Sequence, residues 1–254
     1  MSKTFLERMR DMIANGRNDE ETQADTLTHS DAEGGPLTGL QQFMDNLDGD
    51  PISLNHRSEG MPQILDASMQ QGYLAGQLLV ATPVIDTGCF QKSVVYVFAH
   101  NAEGAMGVII NQPLELVRFS SLVEGLNLDN EQMQSNMPVY YGGPVDRHRG
   151  FVVHSADYIR EHTLIRHGDL AITASNAILR DIIAGKGPQH AFLSVGFAGW
   201  TAGQLEQEIE QNSWIHVPPT SELVFTTENE LKWGTASKSL GVDMNFFSTT
   251  VGHA

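Results

Sequence analysis

Two runs of apolar, strand-forming residues dominate the sequence, and only a short polar segment separates them. The runs are Val94–Ala99 and Met106–Ile110, and the segment between them contains Gly104 near its end. β-Branched and aromatic residues on both sides of a short loop with glycine predict a β-hairpin. Nearly every position in both runs is apolar, which is typical of strands covered on both faces. The sequence therefore predicts a buried hairpin at the centre of the fold.

A four-residue loop directly after His100 fixes the register of this hairpin. It places His100 opposite Ala105 and Phe98 opposite Gly107. An aromatic ring over a strand glycine is a known arrangement in sheets, so Phe98 is predicted to cover Gly107. At roughly 3.4 Å per residue, His100 and Asn111 lie about 20 Å apart, at opposite ends of the hairpin. We therefore expect that these two residues do not share a site.

The net charge of −16 is concentrated near the start of the chain. Residues 1–70 contain 5 lysines and arginines against 13 aspartates and glutamates, which gives −8, and the longer remainder carries the other −8. Few large apolar residues occur in the first 70, apart from one amphipathic pattern over residues 5–13. This composition predicts an acidic, mostly disordered N-terminal extension over 1–70, either a solvated tail or a docking segment. Residues 71–254 are predicted to form the folded domain.

The composition also disfavours several classes of protein. An acidic chain without a basic block disfavours direct nucleic-acid binding, since Arg147-His148-Arg149 is the nearest approach to a basic patch. The single cysteine, Cys89, excludes an intrachain disulfide and a cysteine-rich zinc site, and it fits a reducing compartment. No run reaches the ~18 apolar residues of a membrane span, and the start lacks the apolar core of a signal peptide. The sequence therefore predicts a cytoplasmic protein that does not contact a membrane.

Turn and capping residues divide the folded part into short elements. The strands predicted outside the hairpin are Tyr73–Ala81, Pro138–Tyr141, Gly150–His154, Thr163–Arg166, Leu170–Thr173, His190–Phe197, Trp214–Val217 and Leu223–Thr226. The predicted helices are Phe119–Gly125, Ala177–Ala184 with Ser175 as its cap, one after Thr201 through Gln211, and one after Thr227 to about Leu240. Strands and helices intermix without a regular βα alternation, which favours an α+β fold over a doubly wound sheet.

A series of short motifs occurs in fixed order along residues 73–254. The motifs are Leu74-Ala75-Gly76, Ala81-Thr82-Pro83, Ser93-Val94-Val95-Tyr96, His100-Asn101-x-x-Gly104-Ala105-x-Gly107, Asn111-x-Pro113, Gly142-Gly143-Pro144, Arg149-Gly150-Phe151-x-x-His154, Gly199-Trp200-x-x-Gly203-Gln204-Leu205 and Gly252-His253-Ala254. This ordered series resembles the YqgE/AlgH family of bacterial proteins. The resemblance implies one α+β domain whose bifurcated, mostly antiparallel sheet curls into a pseudo-barrel flanked by helices. It implies a cytosolic protein with a regulatory role in transcription, and it implies no established reaction or cofactor. Gln112 stands where family members often carry a basic residue, which argues against anion binding by residues 111–113 themselves.

These motifs supply a candidate ligand or partner surface rich in glycine, histidine and tryptophan. His100 is suited to act as a general base or a pH-sensitive contact. The alternative is that Asn101 forms a turn and His100 makes a structural hydrogen bond. The full candidate set is His100, Asn101, Gly104, Asn111, Pro113, Gly142, Gly143, Pro144, His154, Gly199 and Trp200.

Two further motifs each allow a structural and a functional interpretation. The segment Gly142-Gly143-Pro144 fits either a close approach of the backbone to a ligand or a tight turn. Trp200 fits either packing on Leu205 at the start of a helix or the lining of a groove. Both alternatives remain open on the sequence alone.

The sequence contains no complete constellation for catalysis, cofactor binding or metal binding. Ser194 lies in half of a nucleophile elbow, with Phe192 where the motif requires glycine. His148 and His154 are six residues apart without an accompanying zinc pattern. The favoured function is therefore a non-enzymatic regulatory protein that binds an unknown protein or small molecule. The alternative is a small-molecule-binding protein or weak hydrolase that uses the glycine, histidine and tryptophan surface.

Overall fold

A ten-stranded sheet runs through the residues that the computed structural model describes, which are 65–66, 73–125 and 136–241. Its strand order is β1-β7-β8-β6-β9-β4-β3-β2-β10, and β5 pairs with β9 beside this path. The strands are β1 (Leu65–Asp66), β2 (Leu78–Ala81), β3 (Val94–Asn101), β4 (Gly104–Ile109), β5 (Val139–Tyr141), β6 (Val145–Ser155), β7 (Thr163–His167), β8 (Leu170–Thr173), β9 (Ala191–Thr201) and β10 (Trp214–Val217).

Short helices flank the sheet. They are α1 (Phe119–Gly125), α2 (Asn176–Ile183), α3 (Gln204–Glu210), a π-helix (Glu222–Thr226) and α4 (Asn229–Lys238). The predicted cap of α2 is confirmed, because the Ser175 hydroxyl accepts a hydrogen bond from the Ala177 N–H. In the described ranges no helix has both the length and the apolar character that crossing a membrane requires.

The long strand β9 divides the sheet into two parts. Residues 191–195 of β9 pair with β6, and residues 193–195 also pair in parallel with β5. Residues 198–201 pair instead with β4. Between these stretches, Gly196 has a φ of +72°, a left-handed conformation that glycine adopts readily. The sheet is thus bifurcated at β9 and curls into a half-barrel, which confirms the predicted α+β fold.

The predicted central hairpin is confirmed as β3 and β4. Residues 94–98 and 105–110 are buried at every position. Val94, Tyr96 and Phe98 pack in one hydrophobic cluster, whereas Val95 and Val97 pack in another on the opposite face. The hairpin lies between two cores, and this explains why its sequence is apolar without alternation.

The predicted register is correct at the turn and wrong further along the hairpin. His100 lies opposite Ala105, as predicted, but the register shifts between Val97 and Ala99. This irregularity makes Val97, rather than Phe98, the partner of Gly107. A Cβ on Gly107 would lie 2.6 Å from the Val95 Cγ1 atom. The prediction that Phe98 covers Gly107 is therefore wrong.

The predicted strand at Leu223–Thr226 is also wrong, because this segment belongs to the π-helix. The Thr227 N–H donates to the Glu222 carbonyl at 2.8 Å, five residues back. Leu223 and Val224 are buried in the main cluster. A short apolar run is compatible with either a buried strand or a helix turn, so periodicity alone could not decide between them.

Most of the predicted N-terminal extension lies outside the described residues, including the helical pattern over 5–13. The exception is β1, whose Leu65 and Asp66 pair in parallel with Ile165 and Arg166 of β7. The sequence on both sides of β1, residues 1–64 and 67–72, is not described.

Candidate functional site

A cleft with a volume of about 490 Å³ lies between α4 and the end of the hairpin opposite its turn. Residues 91–92 and 111–112 form one wall. Asn229, Glu230, Leu231, Trp233, Gly234, Thr235 and Lys238 form the other, and we call this site the α4 cleft. Its volume falls in the range of clefts that hold small molecules, roughly 300–1,000 Å³.

Asn111 fixes the backbone at one wall of the α4 cleft. Its Oδ1 accepts a hydrogen bond from the Val94 N–H at 2.8 Å, and its Nδ2 donates to the Lys92 carbonyl at 2.9 Å. Lys92 is held with a φ of +52°, a conformation that is costly for a non-glycine residue. The Lys92 Nζ lies 5.7 Å from the centre of the Trp233 ring. Asn111 thus positions a strained lysine against an aromatic wall.

Hydrogen bonds from α4 to the sheet fix the opposite wall. The Trp233 indole N–H donates to the Ala81 carbonyl at 2.7 Å. The Tyr140 hydroxyl donates to the Asn229 Oδ1 at 3.0 Å. Because both bonds join α4 to strands of the sheet, the two walls of the α4 cleft are held in a fixed relation.

Lys232 lies between Leu231 and Trp233 of the cleft, but its side chain is buried and only 1% of the residue is exposed. Its ammonium donates to the Ile110 carbonyl at 2.8 Å and lies 5.2 Å from the centre of the Tyr140 ring. Burial lowers the pKa of Lys232 from 10.5 to about 8. An ammonium has three N–H donors, and among the described residues only the Ile110 carbonyl accepts a hydrogen bond from it.

His100 lies at the other end of the hairpin. Its Nδ1 accepts a hydrogen bond from the Leu74 N–H at 2.9 Å, so the ring proton is on Nε2 and is donated to Glu206 at 3.0 Å. The His100 side chain is 1% exposed. Burial lowers the pKa of His100, although Glu206 acts in the opposite direction. With both ring nitrogens bonded inside the protein, His100 makes structural contacts in this structure.

Glu208 of α3 joins the tryptophans beside His100. Its Oε2 accepts hydrogen bonds from the indole N–H groups of Trp200 and Trp214, both at 2.8 Å. The Gln204 amide donates to Oε1 of the same carboxylate at 2.7 Å. Trp200 is 3% exposed and shares a buried cluster with Leu205. These contacts favour the packing interpretation of Trp200.

The glycine-rich segment packs against the centre of β9. A Cβ on Gly142 would lie 2.0 Å from the Ser194 hydroxyl, and one on Gly143 would lie 2.3 Å from the Phe197 carbonyl carbon. Ser194 itself is fully buried, and within the described part of the chain its hydroxyl has no hydrogen-bond partner. The space around residues 142–143 is therefore filled by the backbone of β9.

His154 occupies a third place, on β6 beside β8. Its Nδ1 donates to the Ser155 carbonyl at 3.0 Å, and its Nε2 accepts from the Thr173 hydroxyl at 2.9 Å. The residue is 0% exposed, and burial lowers its pKa. In residues 65–66, 73–125 and 136–241, no three histidine, cysteine, aspartate or glutamate side chains are placed to hold a metal ion.

The structure divides the predicted surface among separate parts of the fold. His100, Asn101, Gly104, Gly199 and Trp200 lie around the β3–β4 turn and the end of β9. Asn111 lines the α4 cleft, and the nearby Pro113 forms a bridge with Tyr140. Gly142, Gly143 and Pro144 connect β5 to β6, and His154 lies further along β6.

The protein is expected to lose stability as the pH falls below about 6.5, because His154 and His100 are held as neutral rings. Burial lowers the pKa of both, so the unfolded chain binds more protons than the folded protein in this range. Urea unfolding should give a lower free energy of unfolding at pH 5.5 than at pH 7.5. His154→Gln should reduce this difference, whereas the exposed His216→Gln should leave it unchanged. An unchanged difference in His154→Gln would contradict a neutral, buried His154.

The residues that form this fold match a known family over most of their length. The model of the AlgH-like family matches residues 78–245. The chain belongs to the AlgH-like family. This result confirms the resemblance that the ordered motifs indicated. No biochemical function is established for the family, so the function of this AlgH-like protein is argued from its site.

Bacterial relatives and solved structures extend the similarity. A UPF0301 protein of Bradyrhizobium sp. is 42% identical over 197 residues, covering 74% of this chain and 91% of the relative. A UPF0301 protein of Rhodospirillum rubrum is 41% identical, and the match covers 76% of this chain and 100% of the relative. The solution structure of AlgH from Pseudomonas aeruginosa matches with a TM-score of 0.60 and 34% identity, over 76% of this chain and 100% of that one. A crystal structure of a protein from Corynebacterium diphtheriae matches with a TM-score of 0.57 and 20% identity, over 72% of this chain and 96% of that one. At this identity the match shows a shared fold alone.

Proposed function

We propose that this AlgH-like protein is a non-enzymatic binding protein that holds a small molecule in the α4 cleft. The observation that carries the proposal is the position of Lys92, which Asn111 holds at a φ of +52° against Trp233. Residues in costly backbone conformations cluster at ligand sites, where the surrounding structure maintains them. A regulatory role follows if occupancy of the cleft changes the affinity of the protein for a protein partner. We also propose that the protein acts in the cytoplasm.

Binding, rather than hydrolysis, is supported by the state of the candidate catalytic groups. His100 and His154 each use both ring nitrogens in hydrogen bonds within the protein. Ser194 is fully buried beneath the segment that contains Gly142. A general base or nucleophile must reach its substrate, and none of these three side chains is placed to do so.

The proposal is tested by screening metabolites against the full chain by thermal shift and measuring the hits by calorimetry. We expect at least one hit whose affinity falls when Asn111→Ala releases Lys92. Asn101→Ala is the matched control, because Asn101 also holds a turn through its side-chain oxygen, but at the opposite end of the hairpin. The absence of any hit, or equal effects of the two alanine variants, would count against a ligand in the α4 cleft.

A further inference from the structure

The α4 cleft has a local excess of positive charge in a chain whose net charge is −16. Lys92 and Lys238 line the cleft, and Glu230 is the acidic residue in that lining. Lys92 and Lys238 are both exposed, so they are available to a ligand. These cations come from the loop before β3 and from α4, and not from residues 111–113. A cleft of this kind attracts anions even though the protein as a whole repels them.

Buried Lys232 adds a third positive charge behind the same wall. It follows Leu231 and precedes Trp233, which both line the cleft, and it is bonded to the carbonyl of Ile110, the residue before Asn111. In the described ranges no carboxylate lies within ion-pair distance of Lys232. A buried cation without a counter-ion is costly, and an anion in the adjacent cleft offsets part of that cost.

The other wall residues indicate what else the ligand carries. Leu231 is 55% exposed, and it is one of four large apolar side chains that are exposed among the described residues. Trp233 lines the cleft with only 8% of its surface exposed, and its indole N–H is bonded to Ala81, so a ligand can contact only the small exposed part of the ring. Asn229 uses its Oδ1 for Tyr140, which leaves its amide N–H groups as donors. The cleft thus combines ammonium and amide donors with an apolar patch.

Building on the proposed function, we infer that the ligand of the α4 cleft is a small organic anion. Its carboxylate or phosphate group faces Lys92 and Lys238, and its apolar part packs on Leu231 and Trp233. Lys232 acts through its charge from behind the wall and does not touch the ligand. Carboxylate and phosphate share the same recognition by ammonium and amide donors, so the probes below distinguish them.

The inference is tested by calorimetry on the full chain at pH 7 with two matched pairs of probes. The pairs are phenyl phosphate with phenol, and benzoate with benzamide. We expect at least one anion to bind about tenfold or more tightly than its neutral partner. Lys92→Ala and Lys238→Ala should each weaken that anion severalfold, while the exposed Lys186→Ala should not. The tighter of the two anions identifies the headgroup.

A pH series separates the role of Lys232 from that of the surface lysines. Burial lowers the pKa of Lys232, so its charge is lost as the pH rises from 7 to 9.5. Lys232 faces the Ile110 carbonyl and the Tyr140 ring. Burial raises the pKa of Tyr140, and the charge of Glu230 acts in the same direction, so the Tyr140 hydroxyl stays neutral in this range. Anion affinity should fall across the series in the natural protein, and this fall should be smaller in Lys232→Met.

Three results would overturn the inference. If phenol bound as tightly as phenyl phosphate, or benzamide as tightly as benzoate, the requirement for an anion would be refuted. The α4 cleft would remain a ligand site, provided that Asn111→Ala still weakens the binding. Anion binding that is unaffected by both Lys92→Ala and Lys238→Ala would place the anion elsewhere. Failure of both anions to bind, while the metabolite screen gives neutral hits at the cleft, would reject the ligand class and retain the proposed function.

Discussion

Gly143→Ala is expected to destabilise the protein by more than about 4 kcal/mol, enough to prevent accumulation of the folded domain. Its new Cβ would lie 2.3 Å from the carbonyl carbon of Phe197, 2.4 Å from that carbonyl oxygen and 2.5 Å from the Ala198 nitrogen. All three atoms belong to the backbone of β9, so no side-chain rotation relieves the clash. The φ of Gly143, +149°, is also one that alanine rarely adopts. Soluble yield and chemical unfolding measure the effect.

Gly168→Ala is the control for the backbone conformation alone. Gly168 has a φ of +57°, and a Cβ there meets no atom within 4 Å. Alanine at such a position costs about 1 kcal/mol, because only the left-handed conformation is penalised. If Gly143→Ala unfolded at the same denaturant concentration as Gly168→Ala, the close packing of residues 142–143 on β9 would not be what supports the sheet.

The central hairpin was predictable because both of its faces are buried, and burial on both faces requires apolar residues at nearly every position. The register shift at Phe98 has no corresponding pattern in the sequence. An irregularity depends on the strands that pair on either side, and β4 pairs with β9, about 90 residues later, as well as with β3. The π-helix over Glu222–Thr226 was missed for a related reason, since a segment with only three consecutive apolar residues, Leu223–Phe225, takes its conformation from the surface that it covers.

The candidate site was only partly predictable. Asn111 was identified through a motif, but its role in holding Lys92 depends on side-chain hydrogen bonds that no spacing rule encodes. Lys92, Lys232 and Lys238 carried no signal as separate residues, because lysines usually form solvated surface. The contact between Lys92 and Trp233 joins residues about 140 positions apart, so only the folded chain brings Lys92 beside α4, the helix that carries the other two lysines. Glu208 was missed similarly, since Trp200 and Trp214 lie on different strands.

The natural protein is expected to become more stable as the pH rises from 8 to 9.5, and Lys232→Met is expected to abolish this gain. Burial places the pKa of Lys232 near 8 in the folded protein, against an ordinary value of 10.5. The unfolded chain therefore binds the additional proton in this range, so the contribution of Lys232 to stability increases with pH, by about 1.5 kcal/mol between pH 8 and pH 9.5. Methionine has a similar shape without the charge. Urea unfolding at several pH values measures the slope for each variant.

Lys186→Met provides the matched control, because Lys186 is exposed and its removal changes the net charge by the same amount. This variant should keep the full pH slope. At pH 7 we expect Lys232→Met to be as stable as the natural protein or more stable, since removal of a buried charge offsets the lost hydrogen bond to Ile110. Equal slopes in the two methionine variants would mean that Lys232 is not buried as a cation. A lysine that lowers stability yet strengthens anion binding has the combination of effects expected of a functional residue. If Lys232 only packed the core, its replacement would lower both the stability and the affinity for anions.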